Sequence, residues 1–435
     1  MVSVTKSVLI IAEMNMDFDE IGFADVNNMM SNPEIIPNGT VTSPSGFVAG
    51  AAFAGIKQPA DGMVLDLGVL CSEVSCVAAG VFTTNKVKAA PVVLCERRLK
   101  SSLGVRMIVV NSGCANACTG KQGDDDVTEM ADLAATKFGL AGEDILVAST
   151  GVIGMFLPME RVRKSMGDVV LSREGGHELA RAMLTTDTFP KEFALCTEIG
   201  GSVVTIGGVG KGAGMIHPDM ATMLCFITTD AAVEASFLQR ALRRAVDISF
   251  NMITVDGDTS TNDMVLLLAN GMAGSRAIQE HTMEAEVFQS ALERVCVHLA
   301  KSVARDGEGA TRLLEVRVEG AATIANARSA ARTVVSSPLV KAAVHGCDAN
   351  WGRIMSALGR SGAELVDTRV DVYLGELCLA RDGCASQFDE GAAKALLARD
   401  KVLFRICLNL GDATATAWGC DLSEDYVTIN SEYTT

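Results

Sequence analysis

Residues Lys211 to Leu224 read KGAGMIHPDMATML and join a glycine-rich segment to an apolar run. The run continues to Thr229, and its apolar and β-branched residues predict a buried strand. Thr222 begins the run, directly after the small residue Ala221. That position allows two interpretations: the first residue of a strand, or a nucleophile exposed at a new chain terminus.

The second interpretation follows from the chemistry of threonine. A hydroxyl inside a chain is a weak nucleophile, but an N-terminal threonine carries an α-amine with a pKa of ~7.7–8.0 that can act as its base. If the Thr222 hydroxyl attacks the Ala221 carbonyl, an acyl shift gives an ester, and its hydrolysis leaves Thr222 as an N-terminus. Glycines between residues 207 and 214 permit tight backbone conformations nearby. These residue types alone leave both interpretations open.

The segment resembles the processing site of the ornithine acetyltransferase family, also called the bifunctional glutamate N-acetyltransferases. The resemblance extends from about residue 39 to residue 435 and includes seven further blocks in family order. They are NSGCANACTG (111–120), STGVIG (149–154), TTDTFPK (185–191), VDGDTSTND (255–263), ARDGEGAT (304–311), DANWGRI (348–354) and DYVTINSEYTT (425–435).

The resemblance implies an enzyme of arginine biosynthesis that moves an acetyl group from N-acetylornithine to glutamate. The transfer would be ping-pong, through acetyl-Thr222, without a metal or organic cofactor. Some members of the family also acetylate glutamate from acetyl-CoA, and the residues leave this second activity open. The family further suggests that self-cleaved chains, 1–221 and 222–435, assemble as an α2β2 heterotetramer.

The resemblance also assigns residues to roles. Thr150 and Gly151 match the oxyanion-hole positions, where a hydroxyl and a backbone N–H stabilise a tetrahedral oxyanion. Lys211 suits a substrate carboxylate, and Glu308 suits an ammonium group. In the TTDT run, Thr186 is an alternative to Thr188. The implied substrate contacts are Thr188, Lys211, Thr222, Glu308, Asn430 and Thr435.

Three positions depart from the usual family motifs. Cys114 stands where asparagine is commoner, and CDANWGR, beginning at Cys347, stands where the usual form is NDPNWGR. Asp219 replaces asparagine three residues before the predicted cleavage point. We expect a carboxylate there to influence the rate of self-processing or the charge around the acyl-enzyme.

Strand-like and helical segments alternate after a polar leader, which predicts an α/β protein. The family resemblance implies layered sheets and helices of the N-terminal-nucleophile-like type, with a smaller C-terminal α/β domain. We predict a leader at 1–37, a catalytic region at 38–335 and a C-terminal domain at 336–435, after a Ser-Ser-Pro break. Strands are predicted at 106–111, 145–149, 366–380 and 402–410, and helices at 127–138 and 288–303.

Composition excludes several other classes of protein. A net charge of -16 over 435 residues argues against nucleic-acid binding. Thirteen cysteines without a Cys-x-x-Cys pair indicate neither a disulfide framework nor a zinc ribbon, and favour a reducing cytoplasm. No two histidines have metal-ligand spacing on one helix, so we expect no metal. The sequence also shows no signal peptide or 18-residue apolar span, so we expect no membrane association.

Two apparent motifs lack residues that their functions require. TIGGVGKG has Thr205 where a phosphate-binding loop needs its first glycine, and Gly212 where that loop needs serine or threonine. Asp256, Asp258 and Asp263 lack the glycine and distant glutamate of a calcium loop, so a polar turn is predicted.

Two other functions remain as alternatives. A protein that keeps the Thr222 nucleophile but gives the acyl group to water would be a self-processing amidase or aminopeptidase. A non-enzymatic nucleotide-binding or scaffold protein is suggested by the glycine-rich segment alone.

Overall fold

The computed structural model describes residues 33–57, 64–101, 104–217 and 223–432. The described residues therefore do not include Ala221, Thr222 and Thr435, whose roles are predicted above. They also do not include Asp219 and nearly all of the leader.

Fifteen strands in the described residues form two sheets. The first sheet contains β1 (Glu34–Ile35), β2 (Phe47–Ala52), β3 (Leu67–Phe82), β4 (Val105–Cys114), β5 (Ile145–Val152), β6 (Lys191–Ile199), β7 (Ser202–Lys211), β8 (Leu224–Thr229) and β9 (Met264–Ala269). The second contains β10 (Leu313–Ala321), β11 (Asp371–Leu374), β12 (Leu377–Arg381), β13 (Cys384–Ala385), β14 (Lys401–Cys407) and β15 (Ala413–Cys420).

The described residues also form eleven α-helices. They are α1 (Ala90–Ser101), α2 (Gly120–Phe138), α3 (Met159–Met166), α4 (Gly176–Met183), α5 (Ala235–Asp247), α6 (Met283–Arg305), α7 (Ile324–Val335), α8 (Pro338–His345), α9 (Trp351–Gly359), α10 (Glu390–Leu397) and α11 (Glu424–Glu432).

The first sheet has the strand order β1-β6-β7-β8-β9-β3-β4-β5, with β2 beside β3. Long strand β3 joins its two parts, because residues 67–71 pair with β2 and β4 while residues 77–82 pair with β9. The pairs β4–β5 and β8–β9 are parallel. The other pairs in this sheet are antiparallel. The second sheet has the order β13-β12-β11-β14-β10-β15.

Helix α6 lies between the sheets and contacts β6 and β7 on one side and β10 and β15 on the other. Its Leu299 and Val295 lie so close to Gly208 of β7 that an added Cβ would be 2.8 Å from Leu299. One buried apolar cluster runs from the first sheet through α6 into the second. This close packing fixes the C-terminal end of α6 beside the end of β7.

The predicted α/β class is confirmed, and most of the predicted elements are present. Strands β4 and β5 and helices α2 and α6 cover the segments assigned to them, and β14 covers residues 402–407 of the strand predicted at 402–410. The predicted strand 366–380 is wrong: Gly375, with φ +58, turns the chain between β11 and β12, and a short 3-10 helix precedes β11. The domain boundaries stay predictions; β10, the first strand of the second sheet, comes before residue 336.

Candidate active site

Five predicted site residues line one cavity of about 260 Å³. Strand β5 contributes Thr150 and Gly151, β7 contributes Lys211, the chain after α6 contributes Glu308, and α11 contributes Asn430. These residues are distant in sequence but meet where strand and helix ends converge. Of the TTDT run, Thr185 and Thr186 line the cavity, whereas Thr188 is not among the lining residues.

Thr150 and Gly151 lie inside β5, beyond the strand predicted at 145–149, because β5 continues to pair with β4 at this point. Gly151 is opposite Gly113 and has φ +130. An added Cβ at Gly151 would be 2.3 Å from the Gly113 carbonyl carbon, so only glycine fits. The backbone that carries the predicted oxyanion donors is thus fixed by close contact between two strands.

An amide network holds this strand end in place. The Asn262 side chain donates to the backbone oxygens of Ala115 (2.6 Å) and Ser149 (2.8 Å). The Ser149 hydroxyl donates to Asn111 Oδ1 (2.6 Å), and Asn111 Nδ2 donates to the Cys114 carbonyl (2.8 Å). Because these polar groups are buried and paired with one another, they fix the orientation of Thr150 and Gly151.

We expect Gly151→Ala to reduce the acetyl transfer that the family resemblance implies by about 10²–10³-fold, the loss typical of a displaced oxyanion donor. The new Cβ would push β5 away from β4 and move the Gly151 N–H. Initial rates and thermal unfolding of the purified variant measure the effect. Gly154→Ala is the control, because Gly154 also has a positive φ (+82) but has no atom within 4 Å of an added Cβ. Equal losses of activity in both variants would contradict the assignment of the Gly151 N–H as an oxyanion donor.

Lys211 contributes a buried cation to the cavity, with 6% of its surface exposed. Its Nζ donates to the Thr150 and Thr185 hydroxyls, each at 3.0 Å. Burial lowers the pKa of Lys211, while the Asp187 carboxylate opposes that shift. The amine is therefore placed to bind an incoming carboxylate, whose charge would offset the cost of its burial.

A buried ion network lies behind Lys211. Lys191 Nζ is 2.6 Å from Asp187 Oδ1 and 2.6 Å from Asp306 Oδ2. Asp187 also accepts the Gly212 N–H (2.6 Å), and Asp306 accepts the backbone N–H of Thr188 (3.0 Å) and its hydroxyl. Burial alone would raise the pKa of Asp187, but the charges of Lys211 and Lys191 lower it to about 2. The network ties β6, β7 and the end of α6 together.

Glu308 occupies the opposite side of the cavity. Its backbone N–H donates to the Ala213 carbonyl (2.9 Å), and its carboxylate accepts the Asn430 side-chain amide (2.7 Å). Gly214 permits this placement, since an added Cβ there would be 2.4 Å from the carboxylate. Burial, followed by the charges of Asp256 and Glu308, raises the pKa of Tyr426 to about 12. This side of the cavity is therefore negative and suits an ammonium group.

Two groups beside the site were not identified from the sequence. Asp263 is buried and accepts the N–H of Met223, the second residue after the predicted cleavage point, at 2.9 Å. The Asp187–Lys191–Asp306 network joins residues that are more than 100 positions apart. The blocks TTDTFPK, VDGDTSTND and ARDGEGAT contain these residues, but local spacing gives no indication of their pairing.

The two described departures from the family motifs lie outside the cavity lining. Cys114 is buried, and its thiol donates to the Met155 carbonyl (3.2 Å). Cys347 has φ +52, a conformation that asparagine tolerates more readily than cysteine.

Neither of two other kinds of site is found within the described residues. No group of three or more metal-ligating side chains occurs there. None of the described helices is long and apolar enough to cross a membrane.

Known proteins match this chain over most of its length. The ArgJ family profile matches residues 48–435. The chain belongs to the ArgJ family. A relative from Symbiobacterium thermophilum named arginine biosynthesis bifunctional protein ArgJ is 57% identical over 91% of this chain and 99% of its own length. A relative of the same name from Dehalococcoides mccartyi is 52% identical over 94% of this chain and 100% of its own length.

A crystal structure described as arginine biosynthesis bifunctional protein argJ from Bacillus halodurans is 44% identical, with a TM-score of 0.46. It covers 47% of this chain and 97% of its own chain. The resemblance inferred from the sequence is confirmed by the family profile and the relatives. The chain is accordingly an acetyltransferase of arginine biosynthesis.

Proposed function

We propose that this ArgJ family member uses Thr222, released by self-cleavage, to carry an acetyl group from N-acetylornithine to glutamate. The observation that carries the proposal is the meeting of Thr150, Gly151, Lys211, Glu308 and Asn430 around one cavity. The strand that follows Thr222 supports it, since Leu224 of β8 pairs directly with Lys211 of β7.

Self-cleavage would begin when the Thr222 hydroxyl oxygen bonds to the Ala221 carbonyl carbon. The carbon–nitrogen bond then breaks, and the hydroxyl proton passes to the Thr222 nitrogen. Water next attacks the ester, the Thr222 hydroxyl reforms, and Ala221 keeps the added oxygen as a carboxylate. The products are the chains 1–221 and 222–435, and the new amine of Thr222 can act as a base.

In the first half of the transfer, the Thr222 oxygen attacks the acetyl carbon of N-acetylornithine. The Thr150 hydroxyl and Gly151 N–H stabilise the oxyanion, and ornithine leaves after its nitrogen gains the hydroxyl proton through the Thr222 amine. Glutamate then attacks acetyl-Thr222 with its uncharged amine and restores the free hydroxyl. Lys211 would bind a substrate carboxylate and Glu308 an ammonium group.

Three further features belong to this proposal. Acetyl-CoA would serve as a second acetyl donor, which agrees with the word bifunctional in the relatives' names. The cleaved chains would assemble as an α2β2 heterotetramer. A cytoplasmic location is supported by the thirteen cysteines, all of which are free thiols.

Ornithine release with and without glutamate tests the transferase against an amidase. We expect glutamate to raise steady ornithine release by at least about tenfold, because Lys211 and Glu308 position an amino acid better than water. Ornithine and N-acetylglutamate are quantified in parallel by chromatography, with aspartate as a control acceptor. Equal ornithine release with and without glutamate would show that water is the acceptor.

A further inference from the structure

The amine of Lys211 joins two threonine hydroxyls of the cavity. Its Nζ donates to the Thr150 hydroxyl and to the Thr185 hydroxyl, each at 3.0 Å. All three residues line the cavity. Thr150 matches an oxyanion-hole position, whereas Thr185 is neither an oxyanion-hole residue nor a predicted substrate contact. The amine therefore connects a predicted oxyanion donor to a residue without an assigned role.

The chemistry of these groups fixes the direction of both hydrogen bonds. A lysine ammonium group has three N–H donors and no acceptor, whereas a threonine hydroxyl has one hydrogen and two lone pairs. The Thr150 oxygen must therefore accept from Lys211, and its own hydrogen cannot point towards Nζ. An oxyanion hole uses such a hydroxyl as a donor. The contact with Lys211 thus leaves the Thr150 hydrogen to be donated elsewhere.

The charged form of Lys211 is favoured by a neighbouring carboxylate. Burial lowers the pKa of Lys211, while the charge of Asp187 raises it. Burial would likewise raise the pKa of Asp187, but the charges of Lys211 and Lys191 lower it to about 2, so this carboxylate stays ionised at neutral pH. A hydroxyl that accepts a bond from a charged donor is polarised and becomes a stronger donor itself.

Asp187 also holds the backbone on both sides of this amine. Its Oδ1 accepts the N–H of Gly212, the residue after Lys211, at 2.6 Å. Its Oδ2 accepts the Thr185 N–H at 3.1 Å. Because the Thr185 hydroxyl in turn accepts Lys211 Nζ, these bonds form a closed circuit. A buried polar circuit of this kind is rigid, and it keeps the amine at a fixed position beside Thr150.

We propose that Lys211 positions the Thr150 hydroxyl as an oxyanion donor, and that Thr185 holds the Lys211 amine in place for this role. The inference rests on the proposed function, in which Thr150 belongs to the oxyanion hole. No bond is made or broken between Lys211 and Thr150. The ammonium group directs the Thr150 hydrogen towards the oxyanion and polarises it, and its third N–H can bind a substrate carboxylate at the same time.

A double-mutant cycle of Lys211→Met with Thr150→Ala tests this role. We expect Lys211→Met alone to lower kcat for acetyl transfer at least about tenfold, because a misdirected hydroxyl stabilises the oxyanion less. In the Thr150→Ala background there is no hydroxyl to direct, so the same substitution should lower kcat by less than about threefold. Values of kcat are expressed per cleaved chain, counted on a denaturing gel.

The comparison of kcat with KM separates positioning from substrate binding. A lysine that only bound a substrate carboxylate would mainly raise KM, and its replacement would change kcat equally with and without the Thr150 hydroxyl. Thr150→Ser is the conservative variant: it keeps a hydroxyl, so kcat should keep its full dependence on Lys211. An effect of Lys211→Met on KM alone, or an equal loss of kcat in the wild-type and Thr150→Ala backgrounds, would overturn the proposal.

Lys341→Met is the matched control for the cycle. Lys341 is also buried and also donates to a neutral oxygen, the Val255 carbonyl, but it does not line the cavity. Substitutions without a shared partner usually add. Lys341→Met should therefore change kcat by the same factor in the wild-type and Thr150→Ala backgrounds.

Thr185→Val decides the matter if Lys211→Met does not fold. Valine has nearly the shape of threonine but lacks the hydroxyl that holds the Lys211 amine. We expect kcat to fall in this variant, and the fall to disappear in the Thr150→Ala background. Wild-type kcat in Thr185→Val, or an equal fall in both backgrounds, would overturn the proposal.

Thr150→Ala alone separates failure of this role from failure of the proposed function. Wild-type kcat in Thr150→Ala would show that Thr150 is not an oxyanion donor, and the proposed function would fail at that point. A loss of about 10²-fold or more in Thr150→Ala supports the oxyanion hole. If Lys211→Met then lowers kcat equally in both backgrounds, only the positioning role of Lys211 is refuted.

Discussion

Thr222→Ala is expected to yield a single full-length chain without measurable acetyl transfer. Alanine lacks the oxygen that would form both the ester at Ala221 and the acetyl-enzyme, so one substitution removes two reactions. Loss of a catalytic nucleophile commonly costs about 10⁴–10⁶-fold in kcat. A denaturing gel and intact-mass measurement follow cleavage, and ornithine release follows the transfer.

Thr222→Ser is the control for this prediction, because serine keeps a hydroxyl at the same position. It should give the same two fragments and retain transfer, whereas alanine gives neither. Fragments that meet between residues 221 and 222 in Thr222→Ala would refute self-cleavage by the Thr222 hydroxyl. Full activity in an unbroken wild-type chain would refute the requirement for a free amine.

Elements with a strong local pattern were predictable from the sequence. Helix α6 was located because its apolar residues recur at helical spacing, and its Thr282 side chain caps the first turn by accepting the Ala285 N–H. The same approach was less accurate at ends and turns. Helix α2 begins at Gly120, seven residues before the start predicted at residue 127. Local patterns identify elements better than their boundaries, since tertiary contacts decide where each element ends.

Strand β5 shows the same limit at the candidate site. Its sequence alone predicted an end at Ser149, but β4 continues beside it and keeps residues 150–152 paired. The extension depends on Gly113 and Gly151, which let two backbones approach closely. A single strand's pattern contains no information about the partner strand, so this contact could not be read from it.

The catalytic blocks were recognised, but not the interactions between them. Lys191 and Asp306 are 115 positions apart, and Met223 and Asp263 are 40 positions apart. Hydrogen bonds of this kind depend on the fold, not on spacing along the chain. The resemblance to the family could therefore assign residues to substrate and oxyanion, but not the buried groups that hold those residues.

Lys191→Met is expected to destabilise the fold by about 3–5 kcal/mol, the usual cost of leaving buried charges without their partner. Asp187 and Asp306 are buried with it, and each has a carboxylate oxygen 2.6 Å from its Nζ. Methionine has a similar length but leaves two carboxylates facing each other. Urea unfolding followed by circular dichroism measures the loss.

Lys341→Met is the control that separates the effect of two unpaired carboxylates from the general effect of removing a buried lysine. Lys341 is also buried, but its Nζ contacts the Val255 carbonyl and the Cys420 thiol, and no carboxylate oxygen lies within 4.0 Å of it among the described residues. Its replacement should therefore cost far less than that of Lys191. Adding Asp306→Asn to Lys191→Met should restore part of the stability, because it removes one of the two facing charges. If Lys191→Met stays within about 1 kcal/mol of the wild type, Lys191 does not hold β6, β7 and the end of α6 together through charge.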